Sequence, residues 1–442
     1  MTILTITPDR VIRNYLVISG LYTLSASLIW GVNTLFLLEA GLNIQGVFIA
    51  NAAFTAGMAL FEIPTGVIAD TVGRRISFLL SVAVLILTTF GYIIVARSDG
   101  SLLLFVIVSV FIGLGFTFYS GAVEAWLVDA LNATGYAGNL DHVFARGAFV
   151  SGGAMLVGTL GGGFLGNVNL AWPYMVRGIL LFMVFWIAFF VMHDLGYKTR
   201  ALNIKTVPGE MRQIADASIK YGWKQRPVRL LMIVGFIQAV FSTWAFYAWQ
   251  PYLLGLLNQP EAVWISGVVA ALIASATMAG NALVDRLAQF CTRRTTLLLW
   301  AAGISSAAAI GVGLSGTFWL ALILLMIMMG AAGVAQPVSQ AYVHQLIPSA
   351  ERATIISFNS MIASTGSIIG QTGLGRIAQN RSIATGYVVG GLFTVLAIPV
   401  LFSLRRLVLT ADVIIGDAGS QSACAAHGLP EVSAVDPKAA TR

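Results

Sequence analysis

The chain has 442 residues, 58% of them apolar and 10% charged, whereas soluble domains usually carry roughly 25% charged residues. This excludes a string of soluble domains and predicts one integral membrane unit, because nearly every window of about 20 residues is apolar enough to span a bilayer. The net charge of +7 does not call for a nucleic acid, since a membrane protein carries basic residues for topological reasons.

In chain order, apolar runs between charged or Pro/Gly/Asn-bearing breaks predict spans near 14–39, 44–69, 76–97, 101–130, 143–168, 172–193, 229–257, 262–284, 295–315, 318–346, 353–375 and 384–404. The first run follows Arg10 and Arg13 as a signal peptide would, but it exceeds a signal core in length and no small-x-small site follows, so it reads as a membrane helix. All but four of the 25 basic residues fall on the side that holds the N-terminus; Arg97, Arg177, Arg376 and Arg381 fall at the outer ends. The positive-inside rule therefore predicts cytoplasmic termini in a multi-pass protein of the plasma membrane, here the bacterial cytoplasmic membrane.

The spans divide into a bundle over 1–193, a polar linker over 194–228, a second bundle over 229–406 and a disordered cytoplasmic tail over 407–442. Within the linker, Met211, Ile214, Ile219 and Trp223 at helical spacing beside Arg212, Lys220 and Lys224 fit a helix lying on the membrane surface, or equally a solvated connection with one helical turn. Cys291 and Cys424 have no ligand-like neighbours, so neither a disulfide framework, a metal site nor a cofactor is predicted.

An offset of 215 residues lays the second half on the first. Asp70 falls on Asp285, Gly115 on Gly330, Glu124 on Ser339 and Asp129 on His344, and GVIADTVGRRISFLL (66–80) meets NALVDRLAQFCTRRTTLLL (281–299). Two six-span halves with the same charge punctuation predict an all-α membrane fold of twelve helices in two pseudo-symmetric bundles around a central cavity.

Residues 66–75, GVIADTVGRR, with the span count, the linker and the weaker copy at 281–294, resemble the loop 2–3 signature of the major facilitator superfamily over about residues 10–406. The resemblance implies that Gly66, Asp70, Gly73, Arg74 and Arg75 form a cytoplasmic clasp between the halves. In physical terms, Gly66 permits close helix approach and Gly73 a tight turn, Asp70 can face a helix N-terminus, and the two arginines can fork onto carboxylates. The simpler alternative is a loop that only sets topology. Asp129 near the inner end of span four is expected to pair with Arg74, Arg75 or Arg146, and Asp285 repeats Asp70 in the second half.

FEIPTGVIAD (61–70) and GAVEAW (121–126) are similar to bacterial efflux permeases, yet span four lacks the buried Arg usual in twelve-span drug:proton antiporters, and the PESPR-like and PETKG-like signatures of sugar porters are absent. Span five carries Gly153, Gly158, Gly162 and Gly166 at helical spacing without the proline of the antiporter motif; this row can pack closely against span eight.

Glu62 lies eight residues before Asp70 and Glu124 five before Asp129, so both are intramembrane acids and candidates for proton coupling. The alternative for each is a permanent partner such as Arg146, Ser, Thr or Tyr. Cavity-lining candidates are Trp30, Asn33, Tyr119, Gln238, Trp244, Tyr247, Trp249, Gln250, Gln336 and Gln340, in the spans one, four, seven and ten that line the cavity in the family, and Asn359 in span eleven; Trp249, at an outer end, also fits a lipid-interface anchor. The expected function is proton-coupled efflux of a hydrophobic drug, antibiotic or metabolite by a monomer working by alternating access. A nutrient or metabolite importer of the same fold is the alternative; an intramembrane enzyme would need an HExxH or GxSxG setting, and none is present.

Overall fold

The computed structural model describes residues 6–98, 100–119, 121–196, 222–347 and 352–414, with the backbone alone at Asp70, Ala353 and Thr354. Among the described residues twelve helical passes follow one another. In the first half they are span one (Pro8–Ser27 continued by Asn33–Glu39), two (Ile44–Val72), three (Arg74–Arg97), four (Leu102–Tyr119 continued by Ala122–Ala133), five (Leu140–Val168) and six (Trp172–Val191). In the second they are seven (Arg226–Leu256), eight (Val263–Ala288), nine (Arg294–Leu314), ten (Phe318–Leu346), eleven (Arg352–Asn380) and twelve (Ile383–Thr394 continued by Ala397–Arg405). Helices are the expected answer in a bilayer, where each backbone polar group must be satisfied within its own segment.

Among the described residues, ten passes are long and apolar enough to cross a membrane. Span one falls short because a turn at Leu28–Val32 interrupts it, and span eleven because Ser357, Asn359, Ser360, Ser364, Ser367 and Gln371 make it polar. Large apolar side chains such as Leu87, Ile94, Leu103, Phe149 and Trp319 point outward, as a lipid-facing surface requires.

Each half has its own core. In the first half, Tyr15, Ile18, Tyr22, Phe78, Leu85, Trp126 and Leu131 form one cluster and Phe36, Tyr92, Phe105 and Tyr174 another. In the second, Phe241, Trp244, Trp249, Tyr252, Val312 and Tyr387 pack together, and Phe48 of span two enters this cluster from the first half.

The two ends of the bundle differ. Toward the basic end, where Gly73 joins spans two and three and where Arg294 begins span nine, packing between the halves is looser: a Cβ placed on Gly66, or on Gly153 midway along span five, would meet nothing within contact distance, while Gly152 still faces Met278 of span eight. At the far end they are shut. Gly163 of span five lies so close to Gly267 of span eight that a Cβ on either would strike the other's backbone. Glycine allows this approach, and close backbone packing is what holds helices together where lipid competes for apolar contact.

The glycine row of span five packs differently from its sequence expectation. Gly158 and Gly162 face Ser27 and Leu28 of span one, Gly166 touches both Val32 and Val263, and Gly153 faces the opening. The residue that meets span eight backbone to backbone is Gly163, one position off the row, because span five is wedged between spans one and eight and needs small residues on two faces.

The chain also remains folded past span twelve, where a tail was expected from 407. Thr410–Asp412 forms a 3-10 turn, and Asp412 is buried against the start of span nine. The anticipated surface helix lies outside the described residues, apart from the exposed Trp223.

Candidate functional site

A cavity of about 680 Å³ lies between the halves and opens toward the basic end. Spans two and four supply Phe54, Thr55, Met58, Glu62, Phe116, Tyr119 and Glu124; spans seven and eleven supply Thr243, Ser360, Ala363, Ser364 and Ser367. The first wall is thus aromatic and acidic, with Phe54 and Phe116 packed edge to face at 5.5 Å. The second is small and hydroxylated, with the Thr243 and Ser367 hydroxyls hydrogen-bonded at 2.7 Å. A space of this size, mostly apolar with a few convergent polar groups, suits a drug-sized organic molecule.

Local sequence explains how the two carboxylates reach it. At Gly121 the φ of +75° is left-handed and suits glycine, and a fresh helix of span four starts at Ala122. Glu124 therefore sits in the first turn of that helix, beside unsatisfied amide groups that favour a negative charge. Glu62 stands in an unbroken helix two residues before Pro64 and two turns from Thr55 at the closed end of the cavity. Among the described residues neither carboxylate has a hydrogen bond or an ion pair; in particular, Arg146 is exposed and does not pair with either.

Of the other predicted lining residues, Tyr119 faces the cavity, its ring stacked on Tyr22 at 3.8 Å. Trp244 does not: it is fully buried against Phe48, Phe241 and Tyr387, because the aromatic core of the second half occupies that face of span seven. Gln238 and Asn359 are half-buried and Gln336 and Gln340 exposed, all outside the cavity wall.

Trp30, Asn33 and Tyr247 belong to the far-end closure. Asn33 is held inside the first half, donating to Asn51 Oδ1 at 3.1 Å and accepting from the Tyr174 hydroxyl at 2.8 Å. Gln250 of span seven spans the boundary: its Oε1 accepts from the Thr34 amide at 3.0 Å and its Nε2 donates to the Trp30 carbonyl at 2.8 Å. The Thr34 hydroxyl adds a bond to the Tyr247 carbonyl at 2.9 Å. The turn at Leu28–Val32 makes this latch, since an unbroken helix would offer neither the Thr34 amide nor the Trp30 carbonyl.

At the basic end the expected clasp is only partly assembled. Gly73 has φ +112° and makes the tight turn. The acid that meets the turn is Asp194, just after span six: it accepts from the Arg75 amide at 2.9 Å, while Arg75 Nη2 donates to the Phe189 carbonyl at 2.6 Å. Asp129, expected to pair with an arginine here, ion-pairs with no described residue, because Asp194 already occupies the N-terminus of span three. Gly66 makes no close helix contact, and Asp285 is exposed, since packing between the halves is looser at this end. The Asp70 side chain lies outside the described part.

The second half repeats the device with an acid that sequence reading missed. Asp412 accepts from the Thr295 amide and hydroxyl, each at 2.8 Å, and Arg294 Nη1 donates to the carbonyls of Ala411 and Val413. In both halves a carboxylate that follows the last span caps the helix after the loop. Position in the chain hid it, for Asp412 lies in a stretch with no apolar periodicity.

The family model described as Major Facilitator Superfamily matches residues 15–299 and 267–414. The chain belongs to that superfamily. A protein of Bacillus subtilis (strain 168) described as an uncharacterized MFS-type transporter, YxaM, is 22% identical over 378 residues, which is 83% of this chain and 88% of that protein. The structure of the nucleoside transporter NupG superposes with a TM-score of 0.73 at 12% identity, covering 90% of this chain and 99% of that one. That of a D-xylose-proton symporter gives 0.66 at 13% identity, covering 92% and 99%. These structural likenesses concern the fold; the family makes the chain a multi-pass membrane transporter rather than an enzyme.

Proposed function

We propose that this major facilitator protein is a proton-coupled secondary transporter that exports an amphipathic small molecule. The observation that carries the reading is that Glu62 and Glu124, both without a hydrogen-bond or ion-pair partner among the described residues, face one largely apolar cavity at the boundary of the halves. A carboxylate in such a place can exchange its proton for a substrate, because a neutral acid and an ion differ strongly in what they tolerate nearby. With the basic end taken as cytoplasmic by the positive-inside rule, the cavity is open inward and the Gln250 latch closes the outside. Substrate enters beside the protonated or free acids, the halves rock, the clasp at Gly73 closes as the latch opens, and protons return along the same cavity.

The test is efflux in everted vesicles from cells producing the protein, with substrates found by susceptibility profiling of a deletion strain. Efflux that persists unchanged when the pH gradient is collapsed would sink the coupling.

A second reading, import of a polar nutrient, is favoured by the hydroxyl wall of Thr243, Ser360, Ser364 and Ser367. It also fits the superposed nucleoside transporter and D-xylose-proton symporter. Uptake by intact cells, with growth on the solute and no resistance phenotype, distinguishes it from export.

A further inference from the structure

The cavity between the halves is aromatic at one end and acidic at the other. Span two ends at Gly73, where a Cβ would meet Asp194, and span four carries Trp126, which donates to the His193 carbonyl, so both spans run toward the basic end. On each of them an aromatic residue of the cavity wall stands eight positions before an acid of the same wall, Phe54 before Glu62 and Phe116 before Glu124. Eight positions are about 12 Å along a helix at 1.5 Å per residue. Phe54, Met58 and Glu62, spaced by four, share one face of span two. Because Phe54 and Phe116 meet edge to face at 5.5 Å, the rings form one deep apolar end, and both acids lie about two turns nearer the opening.

That outer part carries negative charge alone. No Lys, Arg or His is among the described residues that line the cavity, and neither acid has a hydrogen-bond or ion-pair partner among them. The opposite wall offers hydroxyls. Gln371 meets Thr55 at 3.1 Å, and span eleven runs antiparallel to span two, so seven residues counted from each side of that contact bring Ser364 level with Glu62. A serine hydroxyl there can accept from an N–H. Tyr119, stacked on Tyr22 at 3.8 Å, lines the cavity between Phe116 and Glu124 and offers a ring to a positive charge. An anion at this level would meet two like charges, whereas a cation gains charge-assisted hydrogen bonds to the carboxylates.

We propose that the molecule this cavity takes is an elongated amphipathic organic cation, with its apolar end between Phe54 and Phe116 and its ammonium group about two helical turns nearer the basic end, at Glu62 and Glu124. A single positive charge matches one acid and leaves the other for a proton. The proposal rests on the reading of this cavity as the transport path and names the substrate class for it.

The test is isothermal titration of the purified full-length protein in detergent at neutral pH, with titrations into detergent alone subtracted. Phenylhexylamine, phenylhexanol and phenylhexanoate share a ring and a chain and are, at this pH, a cation, a neutral molecule and an anion. The amine should bind at least about tenfold more tightly than the alcohol, and the carboxylate should bind more weakly than either. In the double variant Glu62→Gln, Glu124→Gln the amine should lose its advantage over the alcohol. Phe54→Leu should weaken phenylhexylamine several-fold and leave benzylamine unchanged, because the short amine held at the acids does not reach the rings. Equal binding of amine and alcohol to the wild type, a preference for the amine that persists in the double variant, or equal weakening of both amines by Phe54→Leu would overturn the proposal. Binding is read without a gradient, so these outcomes decide the substrate class alone, while efflux indifferent to the pH gradient removes the coupling and leaves the class standing.

Discussion

Gln371 donates from Nε2 to the Thr55 hydroxyl at 3.1 Å across the boundary between the halves, and every other hydrogen bond between the halves among the described residues lies farther toward the far end. The pair marks where the closed part of the molecule stops and the cavity begins. Hydrogen bonds of this kind contribute about 1 kcal/mol each, so a few of them bias a two-state equilibrium by one or two orders of magnitude.

Gln250→Ala removes two such bonds and leaves the Thr34 amide and the Trp30 carbonyl without their partner. The far-end-open state should gain roughly tenfold in population. Spin labels on cysteines introduced at the exposed Glu39 and Arg381, after replacement of Cys291 and Cys424, would report it as a longer distance component. An unchanged distance distribution would mean that the latch carries no bias.

Gly163→Val should oppose the same closure sterically, since its Cβ would strike Gly267. Overpacking of this sort costs about 1–3 kcal/mol, enough to shift the same label pair toward the long distance. Gly153→Val is the control: it meets open space in this conformation and should leave the far-end distance unchanged.

Asp412→Ala removes the cap on span nine and should lower stability by about 1–2 kcal/mol, with Asp412→Asn milder because its amide oxygen can still accept from the Thr295 amide. Truncation after Val408, which removes the turn, should lower the melting temperature relative to truncation after Ile414 by as much as Asp412→Ala does or more. Equal melting of the two truncations would deny the segment a structural role.

Glu62→Gln and Glu124→Gln separate coupling from binding. For the acid that carries the proton, gradient-driven efflux should fall at least about tenfold, while exchange of labelled solute in the absence of a gradient persists. If both variants keep gradient-driven efflux, the coupling group lies elsewhere.

Much of the site was legible from residue chemistry. Glu62 and Glu124 stood out because an acid in an apolar run needs a reason, and the structure puts both on one cavity with Tyr119. Trp244 misled for the opposite reason: an aromatic residue on a cavity-lining span looks the same in sequence whether its face meets the cavity or the core. The hydroxyl wall was passed over, since Ser360, Ser364 and Ser367 give no charge or size signal, although their spacing of three and four residues already placed them on one helix face. Arg177 was read by its position near a span end, and burial reversed that reading.

By itself the sequence determined the membrane as solvent, the all-helical class and the family, because hydropathy, charge punctuation and a loop motif are local properties of the chain. Only the tertiary structure decided which end is closed, that Asp194 and Asp412 rather than Asp129 serve the basic-end helices, and that Arg177 is buried with its Nε on the Thr89 hydroxyl. Those outcomes depend on which helix faces meet across spans far apart in sequence, and no spacing within one span records its neighbour.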